Sequence, residues 1–212
     1  MNHKQHGFTL VEIAIVLVII GPLLGGVFKG QELINSAKVK NLAGDFRSIP
    51  LFIYGYQDKY KQLPGDDNDV VTHLGATGTA ATTPAKHQGN GLIEGDWDST
   101  TMTDESTLFW QHVRLAGLST GSTDFSSEAN AHLPANAEGG RIGIQMTSPI
   151  AGLSGTYFVC STNLNNKLAQ QLDTTIDDGV ANQGSLRAMN ATDKIAAAKF
   201  EDGKTYTLCL GF

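Results

Sequence analysis

The stretch "FTLVEIAIVLVIIGPLLGGVF" near the N-terminus holds one ionisable side chain, Glu12. A carboxylate in hydrocarbon is costly unless it is paired or neutralised. The chemistry open to Glu12 is therefore an ion pair with a cation brought into the same apolar setting. The preceding segment, "MNHKQHG", is polar and mildly basic and ends on a small residue, Gly7. A secretory signal carries its small-residue cut site after the apolar run. Here "KGQELINSAKVKNL" follows the run, and the small-residue break lies before it. Cleavage after Gly7 would discard the leader, keep the apolar segment and create an amine on Phe8. That amine and Glu12 lie about one helical turn apart within a chain. In a staggered array of helices, Glu12 of one subunit can meet the Phe8 amine of the next, so that assembly pairs two charges. The same residues also fit a plain membrane anchor with one tolerated polar residue near its end.

Other residues able to do chemistry are fewer. Cys160 and Cys209 are the two cysteines, and in an exported chain they most simply form one disulfide. There is no C-x-x-C, so a redox role is disfavoured. No G-x-S-x-G, Walker A lysine or H-E-x-x-H occurs, which argues against an enzyme. His3 and His6 form the one close histidine pair and lie in the leader, whereas His73, His87, His112 and His132 are dispersed. Three acidic clusters remain: Asp66, Asp67 and Asp69; Asp96 and Asp98; Asp173, Asp177 and Asp178. A hard cation needs several oxygens converging from a loop, and none of the three has the EF-hand spacing. They are expected to be solvated turn carboxylates, with the third cluster left open as a calcium site. No cofactor is expected.

The elements that must position these residues follow from periodicity. Val39, Leu42, Phe46, Ile49, Ile53, Tyr56 and Tyr60 recur three and four apart, which predicts a helix from near Phe8 to near Tyr60 with one buried face. Gly21, Gly25, Gly26 and Gly30 allow close helix contact in a bundle. Pro50 is expected to bend the helix unless the turn is compensated, and "KQLPGDD" stops it. Residues 66–97 read as a long ordered loop with short elements. "DESTLFWQHVRLAGL" opens with capping chemistry and reads as a second helix ended by Gly117. "GRIGIQMTS", "GTYFVCS" and "KTYTLCLGF" read as strands, and "NNKLAQQLDTTIDDG" as a short helix closed by an Asp-Gly turn. The expected class is α+β, a long N-terminal helix packed on a small antiparallel sheet. Apolar residues make up 41% of the chain and charged residues 17%, enough for a packed head. Lys plus Arg is 15 against Asp plus Glu 21, a net charge of -6, which argues against a dedicated nucleic-acid binder.

The run "G-FTLVE" ahead of an apolar stretch resembles the signal of type IV prepilins and type II secretion pseudopilins. The resemblance implies that a prepilin peptidase cuts between Gly7 and Phe8 and that the Phe8 amine is methylated. It implies that Glu12 pairs with a neighbour's N-terminus, and that Cys160 and Cys209 staple the C-terminal region. The chain then divides into a leader over 1–7, a helix over 8–62 and a head over 63–212. The implied protein is a structural subunit of a type IV pilus or pilus-like filament, held in the bacterial inner membrane before assembly. Alternatives of the same kind are a secretion pseudopilin, or a minor pilin whose head binds a ligand in adhesion or DNA uptake. Pro22 lies earlier than the proline common in that family, whose usual position is Lys29 here. The segments "LPGD", "FWQHVRLAGL" and "LDTTIDDG" are also similar to a pilin-like subgroup.

Overall fold

A computed structural model of the chain describes residues 9–131 and 133–212. The first helix, α1, runs Leu10–Tyr60 and is unbroken across Pro22 and Pro50. Proline removes one backbone hydrogen bond from a helix. At Pro50 the flanking Ile49 and Ile53 are fully buried, and this packing holds the turn in place. The chain forms two compact units that divide within α1, one ending at Lys38 and the other spanning Val39–Phe212.

In the first unit α1 has almost no buried surface. Leu10 is 86% exposed, Val18 73% and Phe28 68%, so the apolar side chains face outward all round. A helix that is hydrophobic around its whole circumference belongs in lipid or inside a bundle. α1 is long and apolar enough to cross a membrane.

The second unit is built on the other half of α1. Val39, Leu42, Phe46, Ile49, Ile53 and Tyr56 are buried, and Tyr60 at the end is half-buried, as the three-and-four spacing requires. The remaining helices are α2 Val70–Leu74, α3 Glu105–Leu115, α4 Glu128–Ala131 and α5 Asn166–Ile176. The strands are β1 Ile142–Gln145, β2 Phe158–Asn165, β3 Leu186–Asn190 and β4 Thr205–Gly211. They form one antiparallel sheet in the order β1-β2-β4-β3. Alternate side chains leave a strand on opposite faces. Val159, Ala188 and Leu208 therefore join the main core with Phe46, Phe109 and Leu168. Phe158, Cys160, Met189 and Cys209 lie on the other face with Trp97, Ile150 and Leu153. The result is the α+β, pilin-like architecture.

Two details differ from the sequence reading. Asp104 sits at the N-cap of α3, yet its side chain does not cap the helix. Its Oδ2 accepts instead from Ser99 Oγ at 2.5 Å, because the loop before α3 folds back over the helix start. β3 is the strand that composition hides. "LRAMN" holds an arginine and an asparagine, and it becomes a strand by pairing with β4 from Leu186↔Leu210 to Asn190↔Tyr206.

Candidate functional site

Gly7 and Phe8 lie outside the described residues, so the helix start is seen from Thr9 onward. Thr9 precedes α1, and Glu12 is in its first turn. Glu12 Oε2 accepts from Thr9 N and from Thr9 Oγ1, both at 2.8 Å. Glu12 N donates to Thr9 Oγ1 at 3.3 Å. This is a reciprocal capping box, in which the two side chains satisfy helix-end donors. The T-x-x-E spacing that specifies it is visible in the sequence. A carboxylate at the positive end of the helix dipole is also favourably placed. After Glu12, the next charges are Lys29 and Glu32, which pair with each other at 2.7 Å on the exposed surface.

The first acidic cluster overturns the expectation of solvated carboxylates. Asp66 and Asp67 are fully buried. Asp66 Oδ1 accepts from the backbone N–H of Gly89 at 2.5 Å and of Asn90 at 3.2 Å, and its Oδ2 from that of Gly91 at 2.7 Å. Asp67 Oδ2 accepts from Tyr56 Oη at 2.6 Å and lies 2.7 Å from His73 Nδ1, while its Oδ1 takes the N–H of Asp69. Asp67 fastens the loop after α1 to the helix itself, and Asp66 ties the start of that loop to its later residues 89–91. The polar face of α3 does similar work. His112 is fully buried, with Nδ1 accepting from Gly65 N and Nε2 meeting Thr79 O, both at 2.9 Å. Both ring nitrogens are occupied and burial pushes its pKa down, so His112 is a structural imidazole and no general base.

Glu105 is fully buried beside Asp66 and accepts from Glu94 N at 2.8 Å. Burial, followed by the neighbouring charges of Asp66 and Glu94, pushes its carboxyl up to about 8. The folded chain therefore keeps a proton on Glu105 that the unfolded chain releases above its ordinary value of 4.5. This contribution to stability is present in full at low pH. It is lost as pH rises from the unfolded value through the folded one, at about 1.4 kcal/mol per pH unit at most. Glu105→Gln is neutral throughout. It should gain on the parent by on the order of 1–3 kcal/mol between pH 5 and pH 8, measured by denaturant unfolding at each pH. A constant difference between the two proteins across that range would refute the bound proton.

In the second cluster, Asp98 pairs with Lys194 at 2.5 Å, and the Lys194 ammonium lies 5.5 Å from the Trp97 ring centroid. In the third, one carboxylate oxygen each of Asp173, Asp177 and Asp178 lies within 4.8 Å of the others. Among the described residues this is the one group of three or more metal-ligating side chains so converged. Asp173 is fully buried, with Oδ1 accepting from Gly179 N at 3.3 Å and Oδ2 accepting nothing. Burial, then Asp178 and Asp177, push its carboxyl up to about 6. Asp177 Oδ2 accepts from Ser185 N and Leu186 N, and Asp178 Oδ1 from Val180 N. The arrangement can hold a hard divalent cation, and two of its members already close the turn between α5 and β3.

Cys160 and Cys209 are bonded to each other. They are directly opposed partners on β2 and β4, and both are fully buried.

Residues 2–28 match the family model for the prokaryotic N-terminal methylation motif. No curated protein and no solved structure matches the chain. The matched segment contains Gly7, Phe8, Glu12 and the apolar run up to Phe28, and it implies processing by a prepilin peptidase and assembly into a filament. The apolar half of α1, exposed all round, is consistent with a precursor anchored in the inner membrane. The chain thus carries the prepilin-type N-terminal signal of type IV pilins and pseudopilins on a pilin-like α+β fold.

Proposed function

We propose that this protein is a structural subunit of a type IV pilus or pilus-like filament. The observation that carries the reading is the methylation motif set on an apolar helix with one carboxylate in its first turn. In this reading residues 1–7 are a leader, cut between Gly7 and Phe8, and the Phe8 amine is methylated. Residues 8–62 supply the membrane-held and assembling helix, and residues 63–212 the head. Glu12, held by Thr9 in the single chain, exchanges that contact for the Phe8 ammonium of a neighbour when the subunit leaves the membrane. The exchange replaces contacts with an uncharged hydroxyl and amide by contact with a full opposite charge, which is stronger in an apolar bundle. Because the helix rather than the head carries the assembly contacts, a secretion pseudopilus would use the same residues.

The processing step has its own test. Gly7→Val places a branched side chain at the junction and should leave the precursor uncut, retaining its leader. N-terminal mass spectrometry of membrane-extracted protein reads the result. A mature wild-type terminus at any residue other than Phe8 would sink the assignment.

A further inference from the structure

The C-terminal end of α5 gathers three carboxylates, Asp173, Asp177 and Asp178, with one oxygen of each within 4.8 Å of the others. The last turn of α5 supplies no basic residue to offset them. A helix C-terminus carries the negative end of the dipole, so these carboxylates are repelled by one another and by the helix end. Among the described residues, no ion pair reaches any of the three. Asp173 gives a second and separate observation. Its side chain is fully buried, its Oδ1 is held by one long hydrogen bond from Gly179 N at 3.3 Å, and its Oδ2 accepts nothing. A buried carboxylate oxygen without a donor carries its full desolvation cost. The carboxylate that converges with the other two is thus the one that folding leaves short of a donor. Asp177 uses Oδ2 for Ser185 N and Leu186 N, and Asp178 uses Oδ1 for Val180 N, so each keeps a second oxygen for another partner.

We propose that Asp173, Asp177 and Asp178 form a structural site for one divalent cation of the calcium type. An all-oxygen donor set selects a hard cation over zinc or copper. Calcium takes oxygens at about 2.3–2.6 Å, and carboxylate oxygens within 4.8 Å of one another fit around one such ion. Magnesium demands a tighter octahedron at about 2.0–2.1 Å and gives up its waters reluctantly, so it should bind more weakly. Asp178 is exposed, which leaves that side open for water to complete the shell. The ion would tie the end of α5 to the start of β3, because Asp177 already holds the amides at the entrance of that strand. β3 lies at the edge of the sheet, paired along its length with β4 alone, so a clamp at its entrance bears on the stability of the head. The inference rests on the geometry of the head and not on the filament reading.

The test uses the full chain in detergent, stripped with EDTA and dialysed, with calcium chloride as the probe. Calcium at about 10 mM should raise the head melting temperature by about 5 °C over sodium chloride of equal ionic strength. Magnesium chloride at the same concentration should raise it by less than half as much. Isothermal titration should give one calcium bound with a dissociation constant on the order of 0.1–1 mM. Asp173→Asn and Asp178→Asn should each melt no lower than the parent in EDTA, since each removes one of the crowded charges, and each should lose the calcium shift. Asp178 is exposed, so its variant keeps the test readable even if Asp173→Asn does not fold. A parent without a calcium shift would overturn the site. In that case an Asp173→Asn chain that melts above the parent would show that a proton, not a metal ion, neutralises the buried carboxylate. A parental shift in either variant would place the ion elsewhere and overturn the site as well. Both readouts report on the folded head, so a chain that makes no filament would sink the assembly reading and leave this result standing.

Discussion

Glu12→Ala, expressed as the only copy, is expected to be processed, inserted and folded, yet to give about tenfold less sheared filament than the parent or none. Removal of a carboxylate makes the apolar segment more compatible with the bilayer, so membrane retention should not fall. The head should melt as the parent does, since its core begins at Val39. The defect should appear on assembly, where a neighbour's Phe8 ammonium would sit in an apolar bundle without a counter-charge. The capping box complicates this variant, because alanine also removes the acceptor for Thr9 N and Thr9 Oγ1. Two companions separate the effects. Glu12→Gln keeps a capping-box acceptor while losing the charge, and it should assemble poorly. Thr9→Ala loses the cap hydroxyl while keeping the charge, and it should assemble nearly as the parent does. If Thr9→Ala fails and Glu12→Gln succeeds, Glu12 acts as a helix cap and the ion pair is wrong. Parental filament yield from Glu12→Ala would show it to be a tolerated polar residue in an anchor.

The second large effect is expected at the disulfide. Cys160 and Cys209 are 49 positions apart and face each other across β2 and β4. Cross-linking a loop of that size restricts the unfolded chain, for a contribution of roughly 4 kcal/mol at most. Replacing both cysteines with alanine removes the link without leaving polar atoms in the pocket formed by Trp97, Phe158 and Met189. The expected loss corresponds to a fall of about 10 °C in melting temperature for a head of this size. The serine pair should be worse, because two buried hydroxyls would then compete for partners in an apolar cluster. Calorimetry of the variants, with non-reducing mass mapping of the parent, reads both points. Two free thiols in folded parent protein, or an alanine pair that melts within about 2 °C of it, would contradict the role.

Local signals in the chain end where tertiary contacts begin. The α1 stripe from Val39 to Tyr56, the strand character of β1, β2 and β4, and the α5 helix with its Asp-Gly turn all lie in short-range periodicity. Their residues form the observed elements because hydrophobic spacing decides which face can be buried. The junction at Gly7 and the lone carboxylate at Glu12 are equally local signals, and the T-x-x-E cap was there to be seen beside them. The burial of Asp66 and Asp67 was not legible. Asp66 takes its partners from Gly89, Asn90 and Gly91, and Asp67 from Tyr56 and His73, so each carboxylate is satisfied by groups that only folding brings near. By composition, acidic residues after a Pro-Gly turn look solvated; tertiary hydrogen bonds reverse that. β3 is a strand because β4 offers it a free edge, and Glu105 keeps its proton because Asp66 and a dry interior surround it. The sequence by itself determined the signal, the long helix and most of the sheet, since those depend on neighbours within a few positions. Only the tertiary structure decided which polar groups are buried, because partners such as Tyr56 and Gly91 lie 11 and 25 positions away and the free energy of burying the carboxylates depends on meeting them.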